Sequence, residues 1–264
     1  MNILSLACVG AGLLFILAAQ SPAADIDDPL AAANAIYAEL LANHVKDGRV
    51  DYRGLRARRD QIQECLKMYG SIRLSRFDRW TIPERLAFLS NLYNLYVLKI
   101  ILDDYPLSSI RKAGGWFSGD PFEWKVVSIF GHRTSLLIIH KNYLRRDYAE
   151  PGIHFAVCQG ARSSPPLRHE PYNGEHYYDQ IADQARVFLS RAPDNQIDVK
   201  RRRMVLSPIF KWYEEDFARY AGGVEGYIRI IAPPEWGVRD APGRFSVSYS
   251  RFDWKLNDAN PGRK

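Results

Sequence analysis

Helical spacing of apolar residues dominates the chain up to Asp103, and short strand-like runs bounded by turn residues dominate beyond Pro106. The two kinds of segment do not alternate regularly. Together these observations predict an α+β fold rather than a doubly wound α/β one. With 47% hydrophobic and 25% charged residues in 264, the chain has material for a substantial core. Its 18 Gly, 15 Pro and 3 Cys exclude the collagen-like, disordered and disulfide-dense classes. No repeat and no low-complexity linker divides it, so residues 24–264 are expected to form a single domain. In that domain N-terminal helices should surround a buried central helix packed on a mostly antiparallel sheet.

The first 24 residues carry no charged side chain, and residues 3–19 form an unbroken run of 17 low-polarity residues. Ser21-Pro22-Ala23 fits the small-x-small rule, so residues 1–23 read as a secretory signal peptide cleaved after Ala23. An uncleaved anchor is the alternative, because 17 residues sit at the short limit for spanning a bilayer. Cys8 lies inside the run rather than after it, which argues against a lipid-anchored cysteine. The expectation is an exported protein, periplasmic or secreted, with no stable membrane insertion once the signal is removed. The 36 basic and 30 acidic residues leave +6, too weak a charge to imply a nucleic-acid partner.

Along the mature chain, residues 29–45 have helical spacing after Asp27-Asp28, and residues 55–69 make a second helix. Thr81-Ile82-Pro83-Glu84 combines a hydroxyl cap, a first-turn proline and a glutamate three residues on. The almost wholly apolar stretch behind it, 85–103, should be the central helix. Residues 123–130 and 152–158 read as strands with a helix, 136–145, between them. A helix over 176–191 follows. Residues 197–199 and 204–206 form a hairpin around Lys200-Arg201-Arg202-Arg203. Short helices over 208–220 and 224–231 and a closing strand at 245–249 complete the chain.

Two groups of residues could carry chemistry. Asn91 and Asn94 lie on one apolar stripe of the central helix, where a buried amide must find partners. Each either clamps a neighbouring backbone or orients a catalytic side chain. The other group is the segment from His154 to Leu167. On a strand, His154 and Cys158 would share a face about 13 Å apart, and only a fold-back at Gly160 could bring them together. A thiol beside an imidazole becomes a nucleophile, whereas a strand-end cysteine in the core does not. Cys65 has a helical context suited to a small buried hydrophobe. His169 and His176 lack compact ligand spacing, so no metal and no other cofactor is expected.

Several ordered blocks resemble the DUF547 family of exported bacterial and multidomain eukaryotic proteins. Gly48-Arg49-Val50-Asp51-Tyr52 resembles its opening turn. Phe88-Leu89-Ser90-Asn91-Leu92-Tyr93-Asn94 resembles Phe-Trp-Ile-Asn-x-Tyr-Asn. The stretch 154–167 resembles His-Phe-Ala-x-x-Cys-Gly-Ala-x-Ser-Cys-Pro-x-Leu. Leu206 to Tyr213 with Asp216-Phe217, and Asp253-Trp254-x-Leu256-Asn257, resemble the C-terminal blocks. The resemblance implies no established reaction; its Asn-bearing helix and His-bearing strand are similar to the papain and transglutaminase-like layout. The chain departs from the pattern at Ser164, which stands for a second cysteine, and at Gln159, which reads as a one-residue insertion or shift. It departs again at His140, where an acidic run usually ends in Ile-Glu.

Two functional expectations follow. In the first, a thiol-dependent hydrolase or acyl transferase, Cys158 attacks a carbonyl, His154 takes the proton and Asn91 orients the imidazole or steadies the oxyanion. Asn94, Tyr93, Arg162 and Ser163 would contact the ligand, a peptide or cell-envelope component. In the second, the same blocks build the core of a non-catalytic envelope binding or scaffold protein. A third reading, recognition of anionic polymer by Lys200 to Arg203, competes with an ordinary solvated turn. Asp253, Trp254 and Asn257 read as a corner held by side-chain to backbone bonds.

Overall fold

A computed structural model describes residues 28–115 and 118–261. The expected signal segment, 1–23, lies outside them. The first helix, α1 (Pro29–His44), begins where Asp28 accepts a hydrogen bond from the Leu30 N–H at 2.9 Å, with a proline in the first turn. A minimal hairpin follows, β1 (Val45–Lys46) and β2 (Arg49–Val50). Asp47 and Gly48 both take positive φ in its two-residue turn, as such turns require. The second helix of the sequence reading is two, α2 (Tyr52–Arg56) and α3 (Arg59–Gly70), separated at Ala57-Arg58. After α4 (Leu74–Phe77), the capping box forms as expected, with Glu84 Oε2 accepting from the Thr81 N–H at 2.7 Å.

That box opens α5 (Ile82–Asp104), in which every residue from Leu86 to Leu102 except Lys99 is buried. Among the described residues, it is the helix long and apolar enough to cross a membrane, and it is the core of the fold. Two 3-10 turns (Ile110–Lys112 and Pro121–Glu123) lead to the hairpin of β3 (Val127–Ile129) and β4 (His132–Thr134). Then α6 (Leu136–Ile138) continues as a π-helical stretch, Ile139–Arg145. A helical turn, α7 (Ile153–Ala156), precedes α8 (Tyr177–Leu189). The C-terminal third holds β5 (Gln196–Asp198), β6 (Arg203–Leu206), α9 (Pro208–Trp212), α10 (Glu214–Ala221), α11 (Val224–Ile231) and β7 (Ser246–Tyr249).

The fold is α+β, as the order of patterns predicts. Among the described residues its strands form three small sheets: β1-β2, β3-β4, and β5-β6-β7, with β5 antiparallel and β7 parallel to β6. The central helix is packed chiefly by α2, α3, α7, α8 and the π-helical stretch, not by one sheet. Two expected strands change identity. Of 123–130 only β3 is a paired strand, and the start of 152–158 is the helical turn α7. A four-residue apolar run has no periodicity by which strand and buried helix can be told apart. Apolar side chains collect in two clusters. Tyr177 and Ile181 of α8 face the larger one around α5, and Ala185, Phe188 and Leu189 face the smaller one around α9 to α11. The α7 turn divides in the same way, with Ile153 and Ala156 in the larger cluster and Phe155 in the smaller.

Candidate functional site

Both asparagines of the α5 stripe clamp backbone. Asn91 donates to the Tyr172 carbonyl at 2.8 Å and accepts from the Tyr172 N–H at 2.9 Å. Asn94 donates to the Ala156 carbonyl at 2.9 Å and accepts from the Cys158 N–H at 2.8 Å. Each amide therefore satisfies a donor and an acceptor of a chain that has no ladder partner of its own. Asn91 bonds no imidazole in this arrangement, and its expected orienting role has no geometric counterpart.

His154 sits in α7 with both ring nitrogens engaged. Its Nε2 is 2.8 Å from Asp216 Oδ2 and its Nδ1 is 3.2 Å from His140 Nε2. An ionised carboxylate only accepts, so His154 carries its proton on Nε2 and accepts from His140 Nε2–H at Nδ1. Arg145 forks onto Asp216 from the π-helical stretch, with Nε at 2.5 Å and Nη2 at 3.2 Å, and Arg219 also pairs with it. Tyr213 stacks on the His154 ring at 3.9 Å between centroids, with planes 3° apart. Burial would raise the Asp216 carboxyl, but the bonds from His154, Arg145 and Arg219 hold it far below the usual carboxylate range. Burial pushes His140 well below its ordinary value, with further lowering by His154 and Arg145. His154 is also lowered by burial, against the pull of Asp216.

Cys158 is 4% exposed and has partners of its own. Its Sγ is 3.3 Å from Ser164 Oγ, accepts from the Gly160 N–H at 3.3 Å, and lies 3.8 Å from Asn257 Nδ2. Gly160 makes this hook possible. Its φ is +68°, and a Cβ there would lie 2.5 Å from Ile101 Cδ1. Burial raises the thiol, with partial relief from Ser164, Gly160, Arg191 and Asn257. The chain thus folds back, as an approach of His154 to Cys158 required, yet it delivers Ser164 and Asn257 to the thiol instead. Cys65 is also a free buried thiol, pushed up by burial to about 12.

The remaining expected residues separate. Ser163 donates to Asp194 at 2.6 Å and accepts from the Asp253 N–H at 2.9 Å, so its hydroxyl braces the C-terminal corner. Tyr93 is buried near His140, with ring centroids 6.3 Å apart. Arg162 lines a surface groove described below. In the basic turn, Arg201 pairs with Asp198 at 3.0 Å. Reasoning from the sequence did not assign roles to Arg145, Tyr213 and Asp216. The signal for Tyr213 and Asp216 was the block joining Trp212-Tyr213 to Asp216-Phe217, which does not contain Arg145.

What these bonds define is an α+β domain whose buried amides fix backbone that secondary structure leaves unpaired and whose buried imidazoles join helical segments. A family model described as "Protein of unknown function, DUF547" matches residues 77–189, and that stretch of the chain is similar to the family. No curated protein and no solved structure matches it. The matched stretch runs from the end of α4 through α8 and contains Asn91, Asn94, His140, His154 and Cys158. Counted from His154, the block His-Phe-Ala-x-x-Cys puts its cysteines at Gln159 and Ser164 with no insertion, which corrects the shift read at Gln159. Those two positions are neighbours, the Gln159 N–H donating to Ser164 Oγ at 3.1 Å.

Proposed function

We propose that this is an exported, non-catalytic binding domain of the cell envelope in which Cys158 is a structural residue. The observation that carries this reading is that neither nitrogen of His154 is free for the thiol, since Asp216 and His140 hold both. A nucleophilic cysteine needs a base or a lowered pKa, and burial moves Cys158 the other way. The position of Gln159 and Ser164 where the family block has cysteines supports the same reading. So does the apolar N-terminal run, which supports export.

The second reading, a thiol-dependent hydrolase or acyl transferase, is favoured by one feature. The Gly160 N–H and Asn257 Nδ2 both point at Cys158 Sγ, as donors steadying a thiolate would. Alkylation with iodoacetamide, assigned to each cysteine by mass spectrometry, separates the two. The binding reading expects Cys158 to label no faster than Cys65 in the folded protein and both to label fully in strong denaturant. Preferential labelling of folded Cys158 at about pH 6.5, well below the free-thiol pKa, would establish the enzyme reading instead.

A further inference from the structure

A surface groove of about 850 Å³ contains none of the histidine-cluster residues. One wall is the loop from Tyr105 to the first 3-10 turn, and the other is the C-terminal segment from Phe252 to Pro261. The walls are tied together. The Leu256 N–H donates to the Ser108 carbonyl at 2.9 Å, and Tyr105 Oη donates to Asp258 Oδ2 at 2.8 Å. A groove of this size held open by its own hydrogen bonds has the dimensions of a preformed small-molecule site.

Its lining has two characters. Leu107, Phe252, Trp254 and Leu256 make it apolar, and Arg111 lies over the Trp254 ring at 5.0 Å. Arg111, Lys112, Arg162 and Lys255 also line it, and none forms an ion pair among the described residues. The two carboxylates of the lining accept from neutral donors, Asp258 from Tyr105 and the Asn260 N–H, Asp253 from the Lys255 N–H, so four cations against two carboxylates leave the lining two positive charges in excess. Arg162 is the most telling cation. Its backbone is pinned, with its N–H on the Lys255 carbonyl at 2.8 Å and its carbonyl on Arg191 Nη2 at 3.2 Å. Its Nε is buried and has no hydrogen-bond partner among the described residues. A buried guanidinium nitrogen without an acceptor is costly unless something supplies one.

We infer that this groove binds a small amphiphilic anion, seating an acidic group on Arg162 and its neighbouring cations and an apolar body against Trp254 and Phe252. The guanidinium fork matches the oxygens of a carboxylate or sulfonate, and the aromatic wall takes the rest. The inference gives a ligand class to the binding reading above, although the groove does not depend on the state of Cys158.

The test uses two fluorescent probes that differ only in one charged group, anilinonaphthalene sulfonate and neutral N-phenylnaphthylamine, titrated into the purified protein. The sulfonate is expected to saturate a single site at least about tenfold more tightly than the amine at low salt. Raising salt from about 0.02 M to about 0.5 M should shrink that difference. Arg162→Gln should weaken the sulfonate about tenfold and leave the amine unchanged, while Trp254→Ala should weaken both. Decanoate should displace the sulfonate and decanol should not. Melting curves verify that each variant folds, and if Trp254→Ala does not, Arg162→Gln decides. Equal affinity for the two probes, indifference of the sulfonate to Arg162→Gln, or no saturable binding would overturn the inference. Preferential alkylation of Cys158 alongside intact sulfonate binding would instead remove the non-catalytic reading and leave the groove assigned.

Discussion

The side-chain amide of Asn94 holds the backbone on both sides of Val157, donating to Ala156 O at 2.9 Å and accepting from Cys158 N at 2.8 Å. It therefore fixes the point where the α7 turn becomes the extended chain leading to Gly160. Asn94→Ala would strand a buried N–H and a buried carbonyl together. We expect it to lower unfolding free energy by about 2–4 kcal/mol. Urea titration of the variant checks this, and a loss under about 0.5 kcal/mol would deny the amide its clamping role.

Asp216 should be the most sensitive residue of the histidine cluster. Its side chain is 9% exposed and that of Arg145 25%, whereas that of Arg219 is 71% exposed. Asp216→Asn leaves Arg145 without its counter-charge in a half-buried setting, at a cost of about 3 kcal/mol. Arg219→Ala removes a screened surface pair and should cost less than about 1 kcal/mol. Chemical unfolding of the two variants would contradict this ordering if Arg219→Ala proved the more damaging.

The same cluster sets an acid limit on stability. His140 and His154 are both held below their ordinary value of 6.5 in the fold. Below that value the unfolded chain takes up protons that the folded chain does not, so stability falls as pH falls from 6.5 towards the folded pKa values. Each histidine contributes up to about 1.4 kcal/mol per pH unit. Asp216 and Arg145 face the pair on one side, Tyr213 and Tyr93 on the others. Glu150, raised by burial, acts in the opposite sense at lower pH. Melting temperature should therefore drop between about pH 7.5 and about pH 5.5, with a shallower drop in His140→Gln. A flat profile, or equal slopes in both proteins, would assign the acid sensitivity elsewhere.

Gly160 needs both its φ of +68° and its missing side chain, because a Cβ would meet Ile101 of the central helix at 2.5 Å. Gly160→Ala combines left-handed strain with overpacking and should cost about 2–4 kcal/mol. Thermal melts read this directly. A neutral result would mean that the hook around Cys158 can relax, and the thiol would no longer count as sealed.

Local rules made much of this fold legible. The Asp28 cap, the Thr81 and Glu84 capping box and the apolar stripe of α5 located two helices to within a residue or two at most ends. The α+β class followed from the order of periodicities. The turn at His154 was not legible, because a short buried apolar run has the same signature as a strand and as a helical turn. Asn91 and Asn94 were visible as buried amides, and a choice between clamp and catalyst required knowing which backbone came to rest beside them. The histidine cluster was hidden for a different reason. His140, His154 and Asp216 lie in three separate segments, and only the packing of the π-helical stretch, α7 and α10 joins them.

The partners of His154 are the centre of the account, and nitrogen NMR of the histidine rings measures them directly. Spectra would be recorded for the parent protein and Cys158→Ser at about pH 7. The structure predicts a neutral His154 ring with its proton on Nε2, slow to exchange, and ring shifts unchanged by Cys158→Ser. Ring shifts that move when the thiol is replaced would mean that the two residues form a catalytic pair and that the binding reading is wrong, and an imidazolium at His154 would overturn the neutral assignment.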